Sequence, residues 1–379
     1  MIYVFSSSFY PLFRQNVLNA SCYPDGYVMR VRYGAEYLSA DLAKDNAWKE
    51  LPGEDALFVF AEGALANIAA GPGGAKRDYR FLPLRRCTVV SVQMTAGIFI
   101  MDIMLAAFLD YGEKSDATRE ESWDEEIKAH ADRPYPKGLR ETEGSYVYRG
   151  PVLSVPLPGE AEKPWRSVVD RLNQSELQDC VTYHVRGFYR NSGWPLSIRR
   201  PERQVLPRVK GPDAVYRFRT GETILVKVLL YGQANASASG KAIKVDFDGR
   251  TFTSASAARI PIDSRYNEER VLLPCVRGTE KVMSALSFVP TGDDSKIWAP
   301  QPSFVVSISP QGGYLLGVAA LFALAFFIAN VGAFTDYTFL FNGSLRTELM
   351  GSLNKISKPI GALLFLAGTW FYLRKFPLK

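Results

Sequence analysis

Gly312–Ala333 reads GGYLLGVAALFALAFFIANVGA, and the layout of the whole chain follows from it. No charged side chain stands between Ile297 and Thr335. A helix of this length matches the roughly 30 Å hydrocarbon core of a bilayer. Leu, Ile, Phe and Val each favour insertion by roughly 0.3–0.6 kcal/mol near the helix centre, while a charge opposes it by roughly 2.5–3.5 kcal/mol. The run therefore predicts a first membrane span over residues 312–334. A second apolar stretch, Pro359–Leu373 (PIGALLFLAGTWFYL), is bracketed by Lys358 and Arg374. It is short, and predicts a second span over 356–373 by recruiting Ile356, Ser357 and a snorkelling Lys358. Tyr314, Tyr337, Trp370 and Tyr372 suit interfacial belts. Everything before residue 310 reads as a water-soluble body, and residues 310–379 as a two-helix transmembrane hairpin.

The chain has 379 residues, room for two soluble domains besides the hairpin. Its 13% aromatic content favours strands. The predicted fold is mainly β. Residues 1–200 form a β-rich N-terminal domain with some helix. Ile2–Phe5, Tyr27–Tyr33 and Leu57–Phe60 read as strands, and Cys87–Met94 with Ile98–Leu105 as a hairpin turning at Thr95-Ala96-Gly97. Gly63–Ala70 has the composition of a short helix. Residues 110–136 are an acidic loop. Pro164–Gln178 is an amphipathic helix with Trp165, Val168, Val169, Leu172 and Leu177 inward. Residues 201–212, rich in Arg and interrupted by Pro207, read as a basic linker. Residues 213–309 alternate strand-like runs with turn signals, the pattern of a β-sandwich, immunoglobulin-like in architecture only.

The charge of +6 and pI of about 9.0 suit a negatively charged neighbour. Cys22, Cys87, Cys180 and Cys275 form no CxxC and read as reduced, buried thiols. The N-terminus has neither a basic n-region nor an apolar h-region. The expected location is the inner (plasma) membrane, multi-pass, with body and C-terminus cytoplasmic. No catalytic, metal or cofactor motif stands out. Gly71–Lys76 lacks the GxxxxGK[ST] spacing of a phosphate loop. Cys180 and His184, four residues apart on a strand, would lie about 13 Å from one another. That is too far for a nucleophile and its base.

Two sets of residues remain as candidate sites. Arg186, Arg190, Arg199, Arg200, Arg203, Arg208 and Lys210, with Arg217 and Arg219 beyond them and aromatic residues interleaved, are a candidate anion- or partner-binding patch. Gly313, Gly317, Ala325 and Ala329 recur at fourfold spacing in the first span, a stripe that lets helices approach closely. It serves either packing on the second helix or self-association between protomers. Asn330, polar inside the span, needs a protein or water partner.

This layout resembles prokaryotic antiphage membrane effectors, in which a cytosolic sensing body is joined to a few transmembrane helices. The resemblance lies in domain order and in no motif. It implies a non-enzymatic chain without cofactors, acting at a lipid bilayer. The body would bind a protein partner or nucleoprotein complex, such as a short Argonaute system, or a cyclic nucleotide. The helices would then cluster as a homo-oligomer and permeabilise the inner membrane. A constitutive membrane-anchored scaffold is the alternative.

Overall fold

The computed structural model describes residues 1–8, 10–62, 79–111, 123, 125, 127, 145–150, 152, 162–178, 180–191, 203–210, 213–231, 242–253, 259–262, 267–276, 281–291, 300–310, 312–330 and 344–375. The expected helix at Gly63–Ala70, the Gly71–Lys76 loop and most of the acidic loop lie outside them.

Among the described residues the chain is mainly β, in three sheets. The first is built from β1 (Ile2–Ser7), β2 (Val28–Gly34), β3 (Asp55–Glu62), β4 (Arg80–Thr95), β5 (Ile98–Phe108) and β6 (Tyr146–Arg149) in the order β2-β5-β4-β3-β1-β6. It is open, with β2 and β6 at its edges. β1 and β3 are parallel, and Ile2 pairs with Ala56 through to Ser7 with Ala61. Strands that run as continuous apolar segments, here IYVF and ALFVFA, are buried on both faces, and a parallel pair needs a crossover between them. Helix α1 (Pro11–Cys22) lies within that crossover. Pro11 occupies its first turn, where the missing N–H has no intrahelical partner to lose. Its Phe13, Val17 and Leu18 are buried in the core. The β4–β5 hairpin turns through Ala96 (φ 49°) and Gly97 (φ 77°), both left-handed, as a tight two-residue connection requires. A short helix α2 (Ala40–Ala43) follows β2. Helix α3 (Glu162–Leu172) buries Trp165, Val168, Val169 and Leu172 of the expected inward set, and it ends at Leu172 rather than Gln178, leaving the buried Leu177 in the turn that follows.

The other two sheets begin earlier than residue 213. β7 (Tyr183–Asn191), β8 (Arg203–Val205), β11 (Thr223–Leu230) and β14 (Asn267–Pro274) form a four-stranded sheet in the order β14-β11-β7-β8. β9 (Arg208–Lys210), β10 (Asp213–Arg219), β12 (Ala242–Phe247), β13 (Arg259–Pro261), β15 (Val282–Thr291) and β16 (Ser303–Ser309) form a six-stranded one in the order β13-β12-β15-β16-β10-β9. The two sheets meet through aromatic rings. Phe188 of β7 lies 4.6 Å from Tyr216 of β10 and 5.0 Å from Phe304 of β16. The segment expected as a linker is thus an edge strand of each sheet, β8 and β9, with Leu206-Pro207 carrying the chain across. Edge strands tolerate the charge and proline that made it read as a connector.

The first sheet docks on this pair through Tyr23 and Tyr27. Their rings stack at 3.9 Å, and both meet Phe304 edge-on.

Two helices end the described chain, α4 (Gly312–Ala329) and α5 (Ser344–Lys375, with Pro359 inside it). Among the described residues no helix is long and apolar enough to cross a membrane. α4 has 18 residues, about 27 Å of helix, and the uncharged part of α5 begins only after Lys358.

Candidate functional site

α4 and α5 pack against one another at glycines of α5. A Cβ placed on Gly361 would sit 2.8 Å from the Ala329 Cβ and 3.0 Å from the Ala325 carbonyl oxygen. The absence of a side chain is what lets the backbones approach. Gly368 lies against the ring of Phe322, which also meets Phe365 at 5.1 Å between centroids. Ala325 is buried in this seam. Gly317 instead faces open space, and Gly313 lies in the first turn of α4. The stripe of small residues therefore divides, with Ala325 and Ala329 packing on α5 while Gly317 stays uncovered. The Asn330 side-chain amide donates to the Phe326 carbonyl at 2.8 Å, capping its own helix. Its partner is the end of α4, not a second helix.

The basic residues separate likewise. Arg186 is ion-paired with Glu268 at 2.7 Å. Arg190 donates from Nη2 to the Arg217 carbonyl at 3.4 Å, with its Nε 3.8 Å from Glu222. Arg203, exposed, pairs in register with Arg190. Arg208 pairs with Val215, nearer the start of β10 than Arg217 and Arg219 and so further from this end. Lys210 ends β9, and Arg199 and Arg200 lie outside the described residues. One residue of this end gave no sequence signal. Lys281, far away in the chain, immediately precedes β15, whose Val282 pairs with Ile308.

The buried titratable groups serve structure. Arg85 is fully buried. It donates to the carbonyls of Ala106 (2.8 Å), Ala20 (3.0 Å) and Tyr23 (2.5 Å), and pairs with Asp25. Its guanidinium also lies 4.0 Å from the centre of the Phe108 ring. His184 sits between Trp165 and Phe108. Burial, and then the charge of Arg85, push its pKa well below the usual imidazole range, with a backbone hydrogen bond at Cys22 opposing. The Cys22 thiol donates to the Tyr183 carbonyl at 2.9 Å. Burial raises its pKa well above the ordinary range, which disfavours the thiolate. Cys180 lies in a turn before β7, not on the strand, and its sulfur accepts from Arg14 at 3.7 Å.

No protein-family model matches this chain, and neither does any curated protein or solved structure.

Proposed function

We propose that the chain is a membrane-anchored, non-enzymatic effector. Its β body, a first sheet joined to an immunoglobulin-like sandwich, binds an activating protein or nucleoprotein partner. Its C-terminal helices form a transmembrane hairpin that clusters and permeabilises the inner membrane, with body and C-terminus on the cytoplasmic side.

One observation carries the membrane half of this reading. α4 and α5 cover only one seam of each other, and large apolar side chains point away from it. Leu316 is 73% exposed, Phe326 67%, Leu363 66% and Leu366 63%. A helix that is apolar all round belongs in a protein core or in lipid. Among the described residues no core covers these side chains, and an apolar surface of this kind marks a membrane or protein contact. The uncovered Gly317 face supports clustering, since it leaves a close-approach surface for a second copy.

The alternative is a constitutive anchored scaffold. The use of Ala325 and Ala329 in packing within one chain favours it. Membrane potential separates the two. Bacteria expressing the full chain are followed with a voltage-sensitive dye, with and without phage infection. Depolarisation that needs residues 310–379 and follows infection fits the effector. An unchanged potential throughout, with the protein inserted, leaves the scaffold.

A further inference from the structure

The register of the six-stranded sheet brings a group of cationic side chains to the point where the chain leaves it for α4. β10 and β16 run parallel, Arg217 paired with Ser307 and Arg219 with Ser309. β15 lies on the other side of β16, and pairs Met283 with Ser307 and Val282 with Ile308. Two rows therefore cross the outer face of the sheet. One is Arg217–Ser307–Met283, with Ser307 itself buried between the two exposed side chains. The other is Arg219–Ser309, with Lys281 one residue beyond Val282 on the far side. Arg217, Arg219, Lys281 and Met283 are all exposed, Met283 at 56%. In the facing sheet, Arg203 is exposed beside Arg190, which reaches the Arg217 carbonyl.

Among the described residues, the nearby acidic groups are engaged elsewhere. Glu222 is engaged with Arg190 and with the Arg219 backbone N–H, and Asp248 is ion-paired with Arg250. Among the described residues no carboxylate pairs with Arg203, Arg217, Arg219 or Lys281. Ser309 is three residues before Gly312, so α4 starts at most about 11 Å of chain further on. That distance is close to one Debye length at physiological salt, within which an anionic leaflet attracts Lys and Arg.

We infer that this end of the sheets is a docking surface for the anionic phospholipid headgroups of the bilayer that holds the hairpin. Arg217, Arg219, Lys281 and Arg203 supply the charge, and Met283 supplies an apolar contact at the same depth. The inference rests on the membrane reading above. Arg186, already paired with Glu268, takes no part. The surface holds the sheets against the leaflet in one orientation, so the hairpin is not a free tether.

The test uses the full chain. Flotation with phosphatidylcholine vesicles, resistant to carbonate, first establishes insertion. Binding of phosphatidylglycerol and of phosphatidylcholine to the detergent-solubilised protein is then titrated by native mass spectrometry. Each cation near an anionic surface is worth roughly fivefold in affinity. The double variant Arg217→Gln/Arg219→Gln is expected to weaken phosphatidylglycerol binding by about 5- to 25-fold at low salt, leaving phosphatidylcholine binding and flotation unchanged. Lys244→Gln, on β12 away from this end, is expected to change neither. Equal phosphatidylglycerol affinity in the wild type and the double variant, with flotation intact, overturns the surface and spares the membrane reading. The same holds if the double variant loses only binding to a single-stranded oligonucleotide, which would reassign the cations to nucleic acid. A chain that floats with no vesicle overturns both.

Discussion

The Tyr23 hydroxyl accepts the backbone N–H of Ser303 at 3.2 Å, joining positions 280 residues apart. Ser303 is the first residue of β16. Tyr27, stacked on Tyr23, holds the same residue, donating to its carbonyl at 3.4 Å. The strand that leads to α4 is therefore held at its start by the first sheet. Tyr23→Phe leaves the Ser303 N–H without its acceptor, and we expect a loss of about 1–3 kcal/mol. Tyr27→Phe, removing a long and exposed bond, should fall below about 1 kcal/mol. Urea unfolding followed by near-UV circular dichroism measures both.

Arg85 satisfies three carbonyls and one carboxylate from inside the core. Arg85→Met keeps much of the volume but leaves those carbonyls unpaired, and should lower stability by roughly 3–5 kcal/mol. Arg85→Lys should recover only part of this, since an ammonium cannot reproduce the planar fork. Thermal unfolding of the three proteins ranks them, and a Lys variant equal to wild type would contradict the geometry.

His184 is held neutral by folding. Its imidazole titrates near about 6.5 when the chain is unfolded and well below that in the fold, so its contribution is fully present above about pH 6.5. As pH falls through that value the unfolded state takes up the proton first. Stability should then decline by up to about 1.4 kcal/mol per pH unit. His184→Phe should flatten the decline between about pH 6.5 and 5, before the carboxylates titrate. Melting temperatures across that window measure it.

Gly361→Leu has no space against Ala325 and Ala329, whereas Gly317→Leu has open space. The first should separate α4 from α5, and the second should leave them packed. A disulfide between Phe322→Cys and Phe365→Cys, whose parent rings are 5.1 Å apart, reports the difference. Efficient crosslinking in the Gly361→Leu background would contradict the packing.

Strand positions were readable where one physical rule governed them. Ala96-Gly97 turns where its composition says it should, and α3 buries the predicted face. α1 was not readable, because its inward face includes Asn16, Ser21 and Cys22 beside Phe13, Val17 and Leu18. That mixture gives little apolar periodicity, and Pro11 was the one usable sign. The linker reading failed on Arg203–Lys210, since the same composition serves an edge strand. The fourfold stripe overreached for a geometric reason. Each step of four turns the helix by about 40° beyond a full turn, so Gly317 and Ala325 lie about 80° apart and face different surroundings. The grouping of Lys281 with Arg217 and Arg219 depends on β16 lying between β15 and β10, which no local pattern encodes.

β16 lies between two partners, β10 on one side and β15 on the other. Its bonds to both run across the strand, while the chain continues from its end toward α4. A pull along the axis of β16 thus loads the flanking bonds together, in shear. Peeling them apart one by one would need a sideways force. The body is consequently built to follow such a pull as a mechanical unit, transmitting tension toward Tyr23 and the first sheet before it yields.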